Sequence, residues 1–434
     1  MDVKYIFMDE KGPQNSFKVS KPFDKVKKLS YGDDNMHMYV ANAIMFDDIY
    51  KERLYGEYSF LEKQYAENRQ GGGELKASKI LKGKRFRYGI ASLKKNDFKF
   101  YDQLFDLLHK YKVENLSFSI SKAALIVDSR LNNWILSISE ATGTSALSLK
   151  YILTKYVEIE CSEEVLSELL DKSVKLSDVL ESIKKDLGNI IEKNLSNARM
   201  EKQLSAYQQL QMLISMTNYE YVGDLEPAIE AVFNWKKVIF PMDLWLLERE
   251  GIEKHPQISL YLDEGIPKEP FTRLGFGKII EDNDSSSTIG LRISDMLVVF
   301  IGKYLSQLSA DIRYDMENPD KPKHLPSEWF YLSEEQFKLV RKAHDYVLGG
   351  GMYSYGLDTF FDDGVLFEGY LGYINNYKNY GEYSNEKSHS KNFTKQLITE
   401  MSERYKKANE NELETIERFG SLKNAIEEGI FHPL

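Results

Sequence analysis

Four carboxylates in this sequence stand where burying a charge is costly unless it is paired or holds a metal. Asp9 closes the short apolar run Tyr5–Met8 and is followed by Glu10 and the turn residues Gly12 and Pro13. Asp263 closes a second run, Ile258–Leu262, and is followed by Glu264 and Gly265. Asp295 lies inside the apolar stretch Leu291–Leu308, with Leu291, Val298 and Val299 three or four positions away. Glu74 follows the glycine triplet Gly71–Gly73 and opens a basic segment. If the four converge, they form an all-oxygen site of the kind that hard ions such as Mg²⁺ and Mn²⁺ occupy. Two such ions roughly 4 Å apart clamp the attacking and leaving oxygens in phosphodiester hydrolysis. The plainer reading of Asp9 is a turn-starting aspartate.

The elements that would position these acids can be read from the pattern. Val3–Gly12 predicts a buried strand, because a short apolar run bounded by turn residues has strand length. Ser16–Ser20 and His37–Phe46 predict two more strands in an antiparallel meander, and Asp47–Asn68 predicts a helix. Phe98–Lys112 predicts another helix. In Asn115–Val127, Leu116, Phe118 and Ile120 alternate with serines, which predicts a strand. The region from Leu131 to about Leu213 is helical by its three- and four-residue apolar steps. Lys237–Phe240, Ile258–Leu262 and Gly277–Glu281 predict short strands, and Leu291–Leu308 a helix. Pro319, Pro322 and Pro326 mark a linker. Beyond it, Ser333–Leu348 and Phe393–Ile430 are helical, and eight tyrosines fall between Tyr346 and Tyr383. That tyrosine-rich stretch reads as packing, with base stacking as the alternative.

The resulting expectation is an α/β protein, a mixed sheet flanked by helices, in the strand–strand–strand–helix layout of the ribonuclease H-like nucleases. The expected divisions are a core in two parts, 1–130 and 205–312, a helical insertion at 131–204, and a mostly helical C-terminal region at 313–434. Specific residues add to the layout. Tyr5-Ile6-Phe7-Met8-Asp9-Glu10-Lys11-Gly12 resembles the N-terminal "hydrophobic run, Asp-Glu-Ser-Gly" motif of the family catalogued as domain of unknown function 3800. Glu74-Leu75-Lys76-Ala77-Ser78 is similar to its "Glu-Leu-Lys" motif. Asp284-Ser285-Ser286, followed by Leu291-Arg292-Ile293-Ser294-Asp295-Met296-Leu297, resembles its C-terminal "Asp-Ser, then Leu-Gln-Leu-Ala-Asp-Leu" motif.

The resemblance implies a ribonuclease H-like, metal-dependent nuclease, of a kind found in some cases near bacterial defence genes. It implies Asp9, Glu74, Asp263 and Asp295 as ligands for Mg²⁺ or Mn²⁺, with Asp263 placed by strand pattern alone. Glu10, Glu264 and Asp284 are second choices that would support the ligands from outside. Lys76 is the candidate for countering phosphate charge in the transition state. The sequence departs from the family pattern at Lys11 for Ser, Arg292 for Gln and Ser294 for Ala. Lys11 would set a cation beside the metal, where it binds phosphate or weakens metal affinity.

Bulk charge does not announce a nucleic-acid partner, since the formal net charge is −10. A local patch does: between 76 and 99 there are nine Lys or Arg against one acid, Asp97. Lys79, Lys82, Lys84, Arg85 and Arg87 in that segment are the candidate backbone contacts, against the alternative of a solvated helix face. The single cysteine, Cys161, excludes a disulfide framework and a cysteine zinc cluster and fits a reducing compartment. Early acids argue against a signal or transit peptide, so a cytoplasmic location and no membrane partner are expected. A P-loop, a His-Glu-x-x-His zinc site and a Gly-x-Ser-x-Gly elbow are all missing from the sequence. Three classes stay open: a nuclease acting on RNA or DNA, a non-catalytic scaffold that binds a protein or nucleic-acid partner, and a small-nucleotide phosphodiesterase or transferase. The long helices are compatible with a homodimer.

Overall fold

The computed structural model describes residues 3–12, 18–19, 21, 23, 29–30, 37–67, 75–222, 235–251, 254–283, 287–312, 321–322, 324–355 and 363–428. It is an α/β structure built on a mixed six-stranded sheet. The chain begins with β1 (Lys4–Lys11), a minor pair β2 (Lys18–Val19) and β3 (Leu29–Ser30), and then β4 (Met38–Asp47). Helices α1 (Lys51–Glu67), α2 (Ala77–Ile80) and α3 (Lys95–Lys110) lead to β5 (Glu114–Ser121). Five helices follow: α4 (Lys122–Thr142), α5 (Ala146–Lys155), α6 (Glu163–Leu170), α7 (Leu176–Asn194) and α8 (Glu201–Ser215). Then come α9 (Lys236–Glu250), β6 (Ile258–Asp263), β7 (Lys278–Asn283) and α10 (Ile289–Ile312). The remainder is α11 (Glu334–His344), β8 (Met352–Tyr355), α12 (Asp363–Asn375), α13 (Tyr380–Asn385), α14 (His389–Phe419) and α15 (Leu422–Glu427).

The sheet order is β7-β6-β1-β4-β5-β8. The central three strands β1, β4 and β5 are antiparallel neighbours, whereas β6 lies parallel to β1, β7 parallel to β6 and β8 parallel to β5. Side chains alternate across a strand, so β1 feeds two cores. Phe7, with Val40, Ile44 and Phe46, meets α1, α3, α10, α11 and α12 on one face. Ile6 and Met8, with Ala41, Ala43, Met45, Leu116 and Phe118, meet α4 to α9 on the other. Both faces are covered, and the sheet strands are correspondingly apolar on both sides.

Three local expectations need correction. Lys237–Phe240 is not a strand but the start of α9. Val238, Ile239, Met242, Trp245 and Leu246 are buried at helical spacing, and a four-residue apolar run cannot by itself distinguish a strand from a buried helix segment. The strand expected over Asn115–Val127 stops at Ser121, whose extended backbone caps α4. The apolar residues Ala123–Val127 then continue as helix against the sheet. Finally, β8 was not anticipated, because four residues reading Met-Tyr-Ser-Tyr carry little strand signal outside the sheet edge they complete.

The basic segment is tied to α10 by a buried network. Arg87 grips Asp311 with both terminal nitrogens, one at 2.8 Å, and the Trp329 indole N–H donates to Asp311 Oδ2 at 2.7 Å. Asp311 is 4% exposed. Asp311→Ala leaves a guanidinium and an indole without their acceptor, which is expected to cost about 3 kcal/mol in urea unfolding. Asp311→Asn keeps one acceptor and should lose less.

Candidate active site

β1 and β6 run parallel, with Met8 opposite Leu262 as the last registered pair, so Asp9 and Asp263 emerge side by side from the same ends of neighbouring strands. Strand alternation puts both on the face of Phe7 and Tyr261, beneath α10. The β6–β7 register shifts between Tyr261 and Asp263, and Asn283 Nδ2 holds the irregular turn by donating to Leu262 O at 3.0 Å and Ile280 O at 2.8 Å. Irregularities of this type re-aim a side chain at the end of a strand.

The third carboxylate comes from the helix. Ser294 Oγ donates to Asn42 O at 2.8 Å, and Asn42 faces Asp9 in the β1–β4 ladder. This fastens the first turns of α10 directly over the site and delivers Asp295 to it. The Ala77 N–H, at the start of α2, donates to Asp295 Oδ2 at 3.2 Å. Lys76, the residue before α2, lies close enough to draw on the Asp263 carboxylate. Asn42 is itself locked, with Nδ2 donating to Asn115 Oδ1 at 2.6 Å and Ser117 Oγ at 2.9 Å. Asn42 and Ser117 were not singled out from sequence. The available signal was a polar amide inside the apolar run Met38–Phe46.

The electrostatics of the cluster follow from burial. Asp9 is 5% exposed, and its Oδ1 accepts the Glu10 N–H at 2.6 Å. Burial pushes its carboxyl well above the usual range, and the charges of Asp295 and Asp263 push it further. Asp263 is raised mainly by burial and also by Asp295, while a hydrogen bond with Asp9, the Glu264 N–H and Lys76 pull it down. Two hydrogen-bonded carboxyls share a proton, because like charges that close do not both ionise. A divalent cation meets the same need with a larger charge, and an all-carboxylate donor set suits a hard ion. The chemistry of these three acids therefore fits such an ion. Among the described residues, however, no group of three or more His, Cys, Asp or Glu side chains is already arranged around one point as metal ligands.

The remaining candidates divide as follows. Glu74 and Asp284 lie outside the described residues. Glu10 is on the opposite sheet face from Asp9, where it is the nearest charge to the buried Tyr39 hydroxyl. Glu264 is exposed, and it is its backbone that supports Asp263. Lys79, Lys82 and Arg85 are exposed on and after α2, and the Lys84 side chain is outside the described set. Arg87 is committed elsewhere, to Asp311. Arg292 pairs with Glu62 of α1 at 3.1 Å, in a half-buried setting that neutralises the extra charge near Asp295.

No family model, curated protein or solved structure matches the chain. Among the described residues no helix is long and apolar enough to cross a membrane.

Proposed function

We propose that the chain is a divalent-metal-dependent nuclease of ribonuclease H-like fold that hydrolyses phosphodiester bonds of RNA or DNA. The observation that carries this reading is the convergence of Asp9, Asp263 and Asp295 from two parallel strands and a helix, with Asp9 almost fully buried and its carboxyl raised by that burial and then by the other two. A sheet with three antiparallel strands, two parallel additions beside β1, and an acid-bearing helix over the strand ends supports the fold assignment. Asp9, Asp263, Asp295 and Glu74 would hold Mg²⁺ or Mn²⁺, which when bound polarises a phosphate and lowers the pKa of water. Lys76, beside Asp263, would counter the charge that builds on the phosphate. Asn42 and Ser294 keep Asp295 over the strand ends. Lys79, Lys82 and Arg85 would hold the backbone without reading sequence.

The second reading, a non-catalytic scaffold, rests on Lys11, which puts a cation two residues after Asp9. Thermal unfolding with and without Mn²⁺ separates the two. A ligand that binds only the folded state must raise the melting temperature, by about 2.7 kcal/mol of stability at a hundredfold excess over Kd. The nuclease reading expects that rise, together with Mn²⁺-dependent cleavage of at least one of four labelled substrates: single- or double-stranded, RNA or DNA. No rise and no cleavage would leave the scaffold reading.

A further inference from the structure

The tyrosine-rich stretch and the start of α14 enclose a feature that the acidic site does not use. An open groove of about 1070 Å³ runs between the 3₁₀ turn Ser327–Phe330 with the residues after it, helix α13 and the first turns of α14. Most tyrosines of the stretch are packing: Tyr370 and Tyr383 are buried, and the Tyr383 hydroxyl donates to Phe330 O at 2.6 Å. They build a rigid floor, in which the His389 ring stacks on Tyr383 at 4.2 Å and on Phe330 at 5.6 Å. Tyr331 differs from them. It lines the same groove and is 69% exposed, so its ring face is available at the rim.

Along one wall stand Lys387, Lys391 and Lys395, spaced by four residues and all exposed. Lys391 and Lys395 are four residues apart on α14, a helical advance of about 6 Å, comparable with the separation of consecutive phosphates along an extended strand, and Lys387 lies in the bend just before the helix. Among the described residues no carboxylate pairs with any of the three. The groove's one acid, Glu386, instead accepts the Ser388 N–H at 2.7 Å. In a chain of net charge −10, three unneutralised lysines and an exposed aromatic in one groove are a local reversal of sign.

We propose that this groove binds a single-stranded nucleic acid, with phosphates along Lys387, Lys391 and Lys395 and a base stacked on Tyr331. Lysines tracking a backbone beside an exposed aromatic are what sequence-tolerant single-strand binding requires. The groove is larger than one nucleotide needs, which favours a chain over a mononucleotide. The proposal rests on the reading of this protein as one that acts on nucleic acid, but on different residues.

The test is fluorescence anisotropy of labelled oligo(dT)12 with the full chain in EDTA, so that binding is read without cleavage. Binding should weaken with salt. Replacing the three lysines with alanine should weaken it at least tenfold and reduce the slope of log K against log salt by about 2, at roughly 0.7 per phosphate for single strands. The triple arginine variant should restore both. Tyr331→Ala should weaken binding about five- to a hundredfold. All these positions are exposed, and melting temperatures check that the variants fold. An alanine variant with wild-type affinity and slope overturns the proposal, as does wild-type protein that fails to bind. dTMP binding as tightly as the oligomer, or a duplex binding more tightly than the single strand, overturns it too. Lysine-dependent binding without any Mn²⁺-dependent cleavage would sink the nuclease reading and leave the groove standing. Cleavage with unchanged binding in the alanine variant would do the reverse.

Discussion

Asp9→Asn should remove Mn²⁺-dependent cleavage almost completely, by about a thousandfold or more, and at the same time make the metal-free protein more stable. The two effects have one cause. In the metal-free protein Asp9 is buried beside Asp295 and Asp263, and its carboxyl is held well above its ordinary value of 3.8. A carboxyl whose folded pKa is raised contributes stability below the unfolded pKa and loses it as pH rises through the folded value. Near neutrality the cluster therefore weighs against folding. An amide keeps the shape, and its Oδ1 can still accept the Glu10 N–H, but it brings no charge. Removing the repulsion should stabilise by on the order of 1 kcal/mol. The advantage of Asn over Asp should vanish near pH 4 and grow towards pH 8. Adding Mn²⁺ should invert the order, raising the wild-type melting temperature but not that of the variant, and more at higher pH because ligands must be deprotonated. A variant that melts below the wild type in EDTA at pH 8, and still responds to Mn²⁺, would remove Asp9 from the site.

The second large effect concerns a residue that carries no chemistry. A Cβ on Gly290 would lie 2.3 Å from Cγ of Phe7 and within 2.5 Å of both Cδ atoms. Phe7 cannot swing aside easily. It is stacked on Tyr261 at 4.7 Å and on Phe46 at 5.6 Å, and is 2% exposed. Gly290 is thus the point where α10 rests directly on β1, five residues before Asp295. Gly290→Ala should push the helix off the strand, costing about 3 kcal/mol as an overpacked core does. Activity should fall further than stability accounts for, because Asp295 moves with the helix while Asp9 stays with the strand, and small misplacements at a reacting centre are costly. Phe7→Leu in the same chain should recover much of both. If Gly290→Ala unfolds normally and keeps full activity, the close packing of α10 on β1 does not position the site.

The acids themselves were legible because each is locally anomalous. Asp9 and Asp263 close apolar runs, and Asp295 interrupts one, so sequence alone could nominate all three. The strands β1, β4 and β6 and the helix α10 were legible for the same reason, as strong apolar periodicities of sufficient length. The short runs were not: Lys237–Phe240 is compatible with a strand or a helix in isolation, and only the neighbouring contacts of Trp245 and Leu246 against the sheet make it helical. Arg87 shows the same limit for charge. A basic run reads as a patch, but whether a given arginine faces solvent depends on where Asp311 lies, and Asp311 is 224 residues away in sequence.

What the sequence by itself determined was the inventory: an α/β pattern, three misplaced aspartates, a lysine beside one glutamate and a local excess of cations. These follow from residue types and periods of two and 3.6, which are local properties. What only the tertiary structure decided was adjacency. Parallel pairing of β1 with β6 sets Asp9 beside Asp263 across more than 250 residues of chain, and the Ser294–Asn42 hydrogen bond with the bare face of Gly290 brings Asp295 over both. Burial of Asp9, with Asp263 and Asp295 half-buried beside it, then raises the Asp9 and Asp263 carboxyls, since both the desolvation and the repulsion depend on distance and dielectric rather than on sequence order.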